Sequence, residues 1–215
     1  MGSEISNYEI TKRKMMATFP DYDHAQIAGK LGLKFDRDHL FLTFMGTPFR
    51  ISRVSGLIEG STDGFHNCFE ANFNQAMTIL DLLCYSEAGA AAAGEYTLMQ
   101  SLSSVRTAST YAGHGMFECE ERYLDAHSAY LERALDALGG LPFGKGDICR
   151  RLPLYGDLYI IFQFWFSDDE FPASLQLYFD KNTLHFMHFE TIWYAAGELL
   201  DALNRKIELI KNSGI

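Results

Sequence analysis

The sequence predicts an α+β fold, a mainly antiparallel sheet with several packed helices that include a long mid-chain helix and a C-terminal helix. Three observations carry this. Some stretches repeat apolar residues every three or four positions, and others break into short β-rich runs punctuated by turn residues. The resulting order of helices, strands, helices, strands and helix lacks the regular strand–helix alternation of a parallel sheet. A chain of 215 residues can bury a core without metal or disulfide staples, so one domain over 1–215 is expected, with a helical segment at about 7–31 packed on it.

Residues 8–19 place Tyr8, Ile10, Met15, Met16 and Phe19 at loosely helical intervals, and Pro20 ends the run because proline restricts the residue before it. A short second helix follows, capped by Asp21 or Asp23, with Ala25, Ile27, Ala28 and Leu31 on its apolar side and Gly29 and Gly32 weakening its end. The runs 33–35, 39–44 and 47–54 read as an antiparallel meander. Asp36-Arg37-Asp38 suits a hairpin, and Leu40, Leu42 and Phe44 alternate with Phe41 and Thr43. Phe69, Phe73, Ala76, Met77, Leu80, Leu83 and Cys84 fall on one stripe of a helix over about 69–85. The small-residue segment 88–94 reads equally as helix or loop, since alanine favours helix and its glycines oppose it.

Next comes a long helix over about 116–138, with Phe117, Leu124, Leu131 and Leu138 spaced by seven and with Glu118, Glu120 and Glu121 at its positive end. Gly139-Gly140 stops it, and 141–153 reads as an irregular loop. Two strands, 158–166 and 174–179, follow, and 184–189 has the composition of a further strand after the turn Asp180-Lys181-Asn182. The last helix, about 191–210, carries Ile192, Ala196, Leu199, Leu200, Leu203, Ile207 and Ile210 on one face, with Lys206 and Lys211 suiting its negative end.

Composition excludes several function classes. With 28 acidic against 18 basic residues the net charge is −10, and the basic residues are scattered, which opposes nucleic-acid binding through phosphate neutralisation. The longest strongly apolar stretch, 158–166, is far short of the ~20 residues of a spanning helix, so no membrane partner is expected. The start of the chain lacks a basic segment followed by an apolar one, which makes the cytoplasm the expected location; Met1-Gly2-Ser3-Glu4-Ile5-Ser6 fits the loose myristoylation pattern that many chain starts share. Cys68, Cys84, Cys119 and Cys149 include no C-x-x-C pair, so iron–sulfur or structural zinc ligation is not expected, and they read as reduced thiols.

The C-terminal third contains Phe164-Trp165-Phe166-Ser167-Asp168-Asp169-Glu170-Phe171-Pro172-Ala173, then Leu177-Tyr178-Phe179-Asp180, then Glu190 opening the last helix. On these residues, together with Asn7-Tyr8-Glu9 and with Gly139-Gly140 before Gly146-Asp147, the chain resembles the prokaryotic domain of unknown function catalogued as number 3786. Some relatives carry an extra cysteine-rich iron–sulfur module and occur in anaerobes that use corrinoid one-carbon chemistry. The resemblance therefore implies an accessory role near such chemistry, while the missing cysteine cluster speaks against direct electron transfer.

Several residue groups are candidates for chemistry. Asp168, Asp169 and Glu170 lie between two apolar strands, where two carboxylates could hold Mg²⁺ or Ca²⁺ or act as acid and base, or simply form a solvated turn anchored in the core by Phe171 and Pro172. Asp180 could face them or begin an ordinary turn. His185 and His188, with Glu190, are the tightest histidine group, yet residues three apart on a strand point to opposite faces. His66-Asn67-Cys68 with His114 is a second such group, favoured as a loop without metal. Gly140, Gly146 and Asp147 form a flexible loop without phosphate-loop spacing, and Arg150-Arg151 beside it could grip an anion or remain a solvated pair. Tyr155, Tyr159, Trp165, Trp193 and Tyr194 could line a flat pocket or pack in the core.

These observations favour an accessory or small-ligand-binding domain, its pocket formed by the 168–172 turn, Asp180 and the 140–147 loop. A divalent-metal-dependent hydrolase or transferase using Asp168, Asp169 and Glu170 is the enzymatic alternative, and a homodimerisation or protein-interaction domain is the third. The sequence identifies no cofactor.

Overall fold

The computed structural model of the chain describes residues 6–102 and 116–213. Residues 1–5, which hold most of the lipidation pattern, and His114 lie outside the described residues. The chain divides into two compact units, Met1–Ala91 with Leu184–Ala195, and Ala92–Thr183 with Ala196–Ile215.

The first unit opens with helices α1 (Asn7–Thr18) and α2 (His24–Leu31), whose starts are set by side-chain caps: Ser6 accepts the Glu9 N–H, and Asp23 accepts those of Ala25 and Gln26. A five-stranded antiparallel meander follows, β1 (Lys34–Phe35), β2 (His39–Phe44), β3 (Thr47–Ser52), β4 (Ile58–Gly60) and β5 (Phe69–Glu70), ordered as in the sequence. Asp36 closes the first hairpin by accepting the N–H groups of Asp38 and His39. Met45 and Gly46, both at positive φ, close the second, where such backbone matches the strand twist. Leu40, Leu42 and Phe44 are buried as the alternation requires. Helix α3 (Phe73–Tyr85) begins four residues later than the apolar stripe suggests, because Asn72 and Gln75 form a reciprocal capping box there and Phe69 pairs with Gly60 in the sheet.

The second unit holds helices α4 (Glu118–Ala126) and α5 (Ser128–Ala137) and an antiparallel sheet of β6 (Tyr96–Leu98), β7 (Leu141–Pro142), β8 (Ile148–Tyr155), β9 (Leu158–Trp165) and β10 (Ser174–Asp180), in the order β6-β10-β9-β8-β7. One face carries Leu152, Leu154, Ile160, Phe162, Phe164, Leu177 and Phe179, all buried, with α4 against β10 and α5 against β8. The C-terminal helix α6 (Phe189–Ser213) contributes its first turns to the first unit and the remainder to the second.

Three stretches differ from the sequence expectation. The mid-chain helix is interrupted at His127, whose φ of −115° and ψ of 24° leave the helical region while its Nδ1 meets the Tyr123 carbonyl at 2.8 Å. The 141–153 stretch is mostly strand, because Arg150, mid-strand and buried, is neutralised by Glu132 and Asp136 of α5 at 2.5 and 2.8 Å. Residues 184–189 are not a strand: Asp180 accepts the Asn182 N–H and the Thr183 hydroxyl donates to the Asp180 carbonyl, turning the chain into a short 3₁₀ segment, Thr183–His185, ahead of α6.

Two glycines separate packing from conformational entropy. A Cβ on Gly140 would stand 2.7 Å from the Leu135 carbonyl oxygen, whereas one on Gly29, inside α2, meets nothing within 4 Å. Chemical denaturation is expected to show Gly29→Ala stabilising by about 0.5–1 kcal/mol and Gly140→Ala destabilising by about 1–3 kcal/mol.

Candidate functional site

The face of the second sheet opposite α4 and α5 is set by strand alternation. Pairing puts Gln176, Gln163 and Cys149 in one row, and Tyr178, Ile161 and Arg151 in the next. The turn between β7 and β8 folds over this face. Phe143 donates its N–H to the Cys149 carbonyl, the Gln163 side-chain amide donates to the Lys145 carbonyl, and Asp147 accepts the Phe166 N–H at 2.8 Å. Only small residues allow so close an approach. Gly144 and Gly146 sit at φ of 66° and 128°, and a Cβ on them would stand 3.1 Å from the Cys149 sulfur and 3.2 Å from Gln163.

Turn and sheet enclose a cleft of about 350 Å³. Its floor is Cys149, Ile161 and Gln163, and its walls are Tyr96, Phe143, Gly144 and Tyr178. Tyr96 and Phe143 meet edge to face with centroids 5.6 Å apart, and the Tyr178 hydroxyl donates to Gln176 at 2.6 Å. Burial pushes the Cys149 thiol above its ordinary pKa, with the Arg150 charge opposing, so at neutral pH it is a soft apolar floor and not a thiolate. Burial likewise raises the Tyr96 phenol, while nearby Arg151 holds it back.

The residues singled out by sequence scatter around this cleft. Gly146 and Asp147 build the overlying turn, and Arg151 stands on the same sheet face, its guanidinium carbon 4.5 Å from the Tyr159 ring centre and 5.9 Å from that of Phe143. Arg150 points the other way into its carboxylate pair, and Gly140 lies at the end of α5. Asp180 is buried and accepts the N–H groups of Ala93, Gly94 and Asn182, at the opposite end of β10 from the acidic turn. In that turn Asp168 accepts the N–H groups of Glu170 and Phe171, which hold its carboxyl below the usual range. Asp169, Glu170 and Pro172 are exposed, and Phe171 is 66% exposed instead of anchored in the core. The turn is held from α4, where Asp125 accepts from Ser167 and Glu121 from the Leu175 N–H.

The histidines pair separately. His185 meets Glu87 at 2.6 Å, and His188 meets Asp81 at 2.7 Å while its ring lies tilted against that of Tyr85. Asn67 donates to Asp63, whose carboxyl is held down to about 2 by that residue's N–H groups and by Ser61. Trp193 and Tyr194 fall in the other unit from Tyr155, Tyr159 and Trp165. Among the described residues no three His, Cys, Asp or Glu side chains converge to hold a metal ion. Sequence reading missed Tyr96, Cys149, Gln163 and Tyr178. The available signal was the isolated glutamine in the apolar β9 run, sharing its parity with Ile161.

A family model described as Domain of unknown function (DUF3786) matches residues 23–202, from the cap of α2 well into α6. The chain belongs to the DUF3786 family. Every cleft residue lies inside the DUF3786 match. No curated protein and no solved structure matches the chain. Among the described residues no helix is long and apolar enough to cross a membrane.

Because Asp168 is committed to backbone amides, millimolar Mg²⁺ or Ca²⁺ is expected to leave the melting temperature unchanged. A rise that Asp169→Asn abolishes would establish the acidic turn as a cation site instead.

Proposed function

We propose that this DUF3786 chain is a small-ligand-binding accessory domain whose ligand occupies the cleft on the open face of the second sheet. The observation that supports this is the concavity itself, about 350 Å³ and lined by three aromatic rings and one carboxamide. That volume lies within the ~300–1,000 Å³ range of small-molecule sites. The turn forming one wall is fastened through Gln163 and Asp147, so the shape is preformed and binding need not order a loop.

Binding is favoured over turnover by the lining. A nucleophile needs an adjacent base, and Cys149 has no histidine or carboxylate among the residues lining the cleft. The carboxylates of the acidic turn, the basis of the hydrolase or transferase alternative, stand exposed and are partly committed to backbone amides. An accessory place beside corrinoid or iron–sulfur metabolism rests on the resemblance to DUF3786 relatives alone.

Native mass spectrometry of protein purified anaerobically from its host is expected to show a stoichiometric small molecule. Ile161→Trp, which fills the floor, and Tyr178→Ala, which removes a wall, are each expected to lower its retention at least tenfold while the far-ultraviolet circular dichroism stays native. A clean apo mass, together with no change in the Gly144 and Gln163 amide NMR signals on adding planar aromatic probes, would falsify the reading.

A further inference from the structure

Arg151 differs from its neighbour in one decisive respect. Arg150 is held by two carboxylates, whereas among the described residues no carboxylate pairs with Arg151. The Arg151 Nε is buried and donates to nothing, one of two buried side-chain polar atoms without a partner among the described residues. A buried N–H left unsatisfied on a permanent cation is costly, and such exceptions call for an explanation. Several other arginines of this acid-rich chain stand against a carboxylate, as Arg13, Arg50, Arg122 and Arg205 do. The nearby acid on this sheet, Asp180, accepts three backbone N–H groups of its own.

The surroundings of Arg151 are aromatic. Its guanidinium packs over Tyr159 and against Phe143, and Phe143 is a cleft wall that remains 39% exposed. The guanidinium is thereby held beside two side chains that line the cleft, Phe143 and Tyr96, the latter hydrogen-bonded to it, and no carboxylate among the described residues neutralises it. A guanidinium in that state favours an anion with two oxygens in its plane, and the exposed ring faces beside it favour a flat partner.

We infer that the cleft takes a planar, ring-containing molecule bearing a carboxylate or phosphate, with the anionic oxygens on Arg151 and the ring between Phe143 and Tyr178. This deepens the binding reading above and rests on it. Association is non-covalent: the Arg151 N–H groups donate to the anionic oxygens, and the Tyr96 hydroxyl, which already meets Arg151, and the Gln163 carboxamide are further polar groups of the cleft. The net charge of −10 works against anions elsewhere on the surface, so a preference for an acid is assigned to Arg151.

The test is NMR titration of the full chain with benzoate, phenyl phosphate and neutral benzamide, following the Gly144 and Gln163 signals. Benzoate or phenyl phosphate is expected to bind at least tenfold more tightly than benzamide, consistent with one charge-assisted hydrogen bond, and whichever binds tighter identifies the anionic group. Arg151→Met is expected to abolish that preference while benzamide binding persists, and Arg151→Lys to retain part of it. Melting curves of both variants check that they fold. Benzamide binding as tightly as both anions, or a preference that survives in Arg151→Met, overturns the anion assignment and leaves the cleft as a binding site. No response of the cleft signals to any of the three probes overturns the anion assignment and, together with a clean apo mass, the binding reading itself.

Discussion

Carboxylates that accept backbone N–H groups hold the loops of both units in place. In the second unit the buried Asp180 fastens the small-residue segment through Ala93 and Gly94 and also starts the turn after β10. Glu121 and Asp125 of α4 fasten the two ends of the acidic turn. In the first unit Asp81 accepts from the His188 N–H and the Thr191 hydroxyl just before and within α6, and Asp63 organises its own loop. Because the acceptor is charged, such bonds are shorter and stronger than their neutral counterparts.

That use of acids explains why the obvious candidate failed to assemble. Asp168, Asp169 and Glu170 suggest a metal or acid–base cluster, but the geometry turns Asp168 inward on its own backbone and leaves its neighbours in solvent. The cleft instead draws on residues with little signal individually. Gln163 and Cys149 are paired across β8 and β9, and Tyr96 arrives from a strand more than fifty positions earlier.

How much was legible depended on whether the deciding interaction was local. Helix α3 and the strands β9 and β10 follow from periodicity, since their burial pattern is written in neighbouring residues. The α+β class and the family resemblance were equally readable, the latter from the segment running through the acidic turn. Strand β8 was not, because Arg150 looks incompatible with a buried strand until Glu132 and Asp136, 18 and 14 positions away, are brought beside it. The break at His127 was hidden for the opposite reason: the heptad spacing of Leu124 and Leu131 persists across it, so the apolar pattern carries no trace of the altered backbone.

The outermost strands of both sheets are two or three residues long, namely β1 and β5 in one sheet and β6 and β7 in the other. Pro142, in β7, further lacks an N–H to offer. Such short margins give an incoming strand almost no ladder to extend, which protects a chain this rich in aromatic β-segments from edge-to-edge aggregation. Through these outermost strands a partner finds little main-chain pairing, and recognition there is left to side-chain shape and charge.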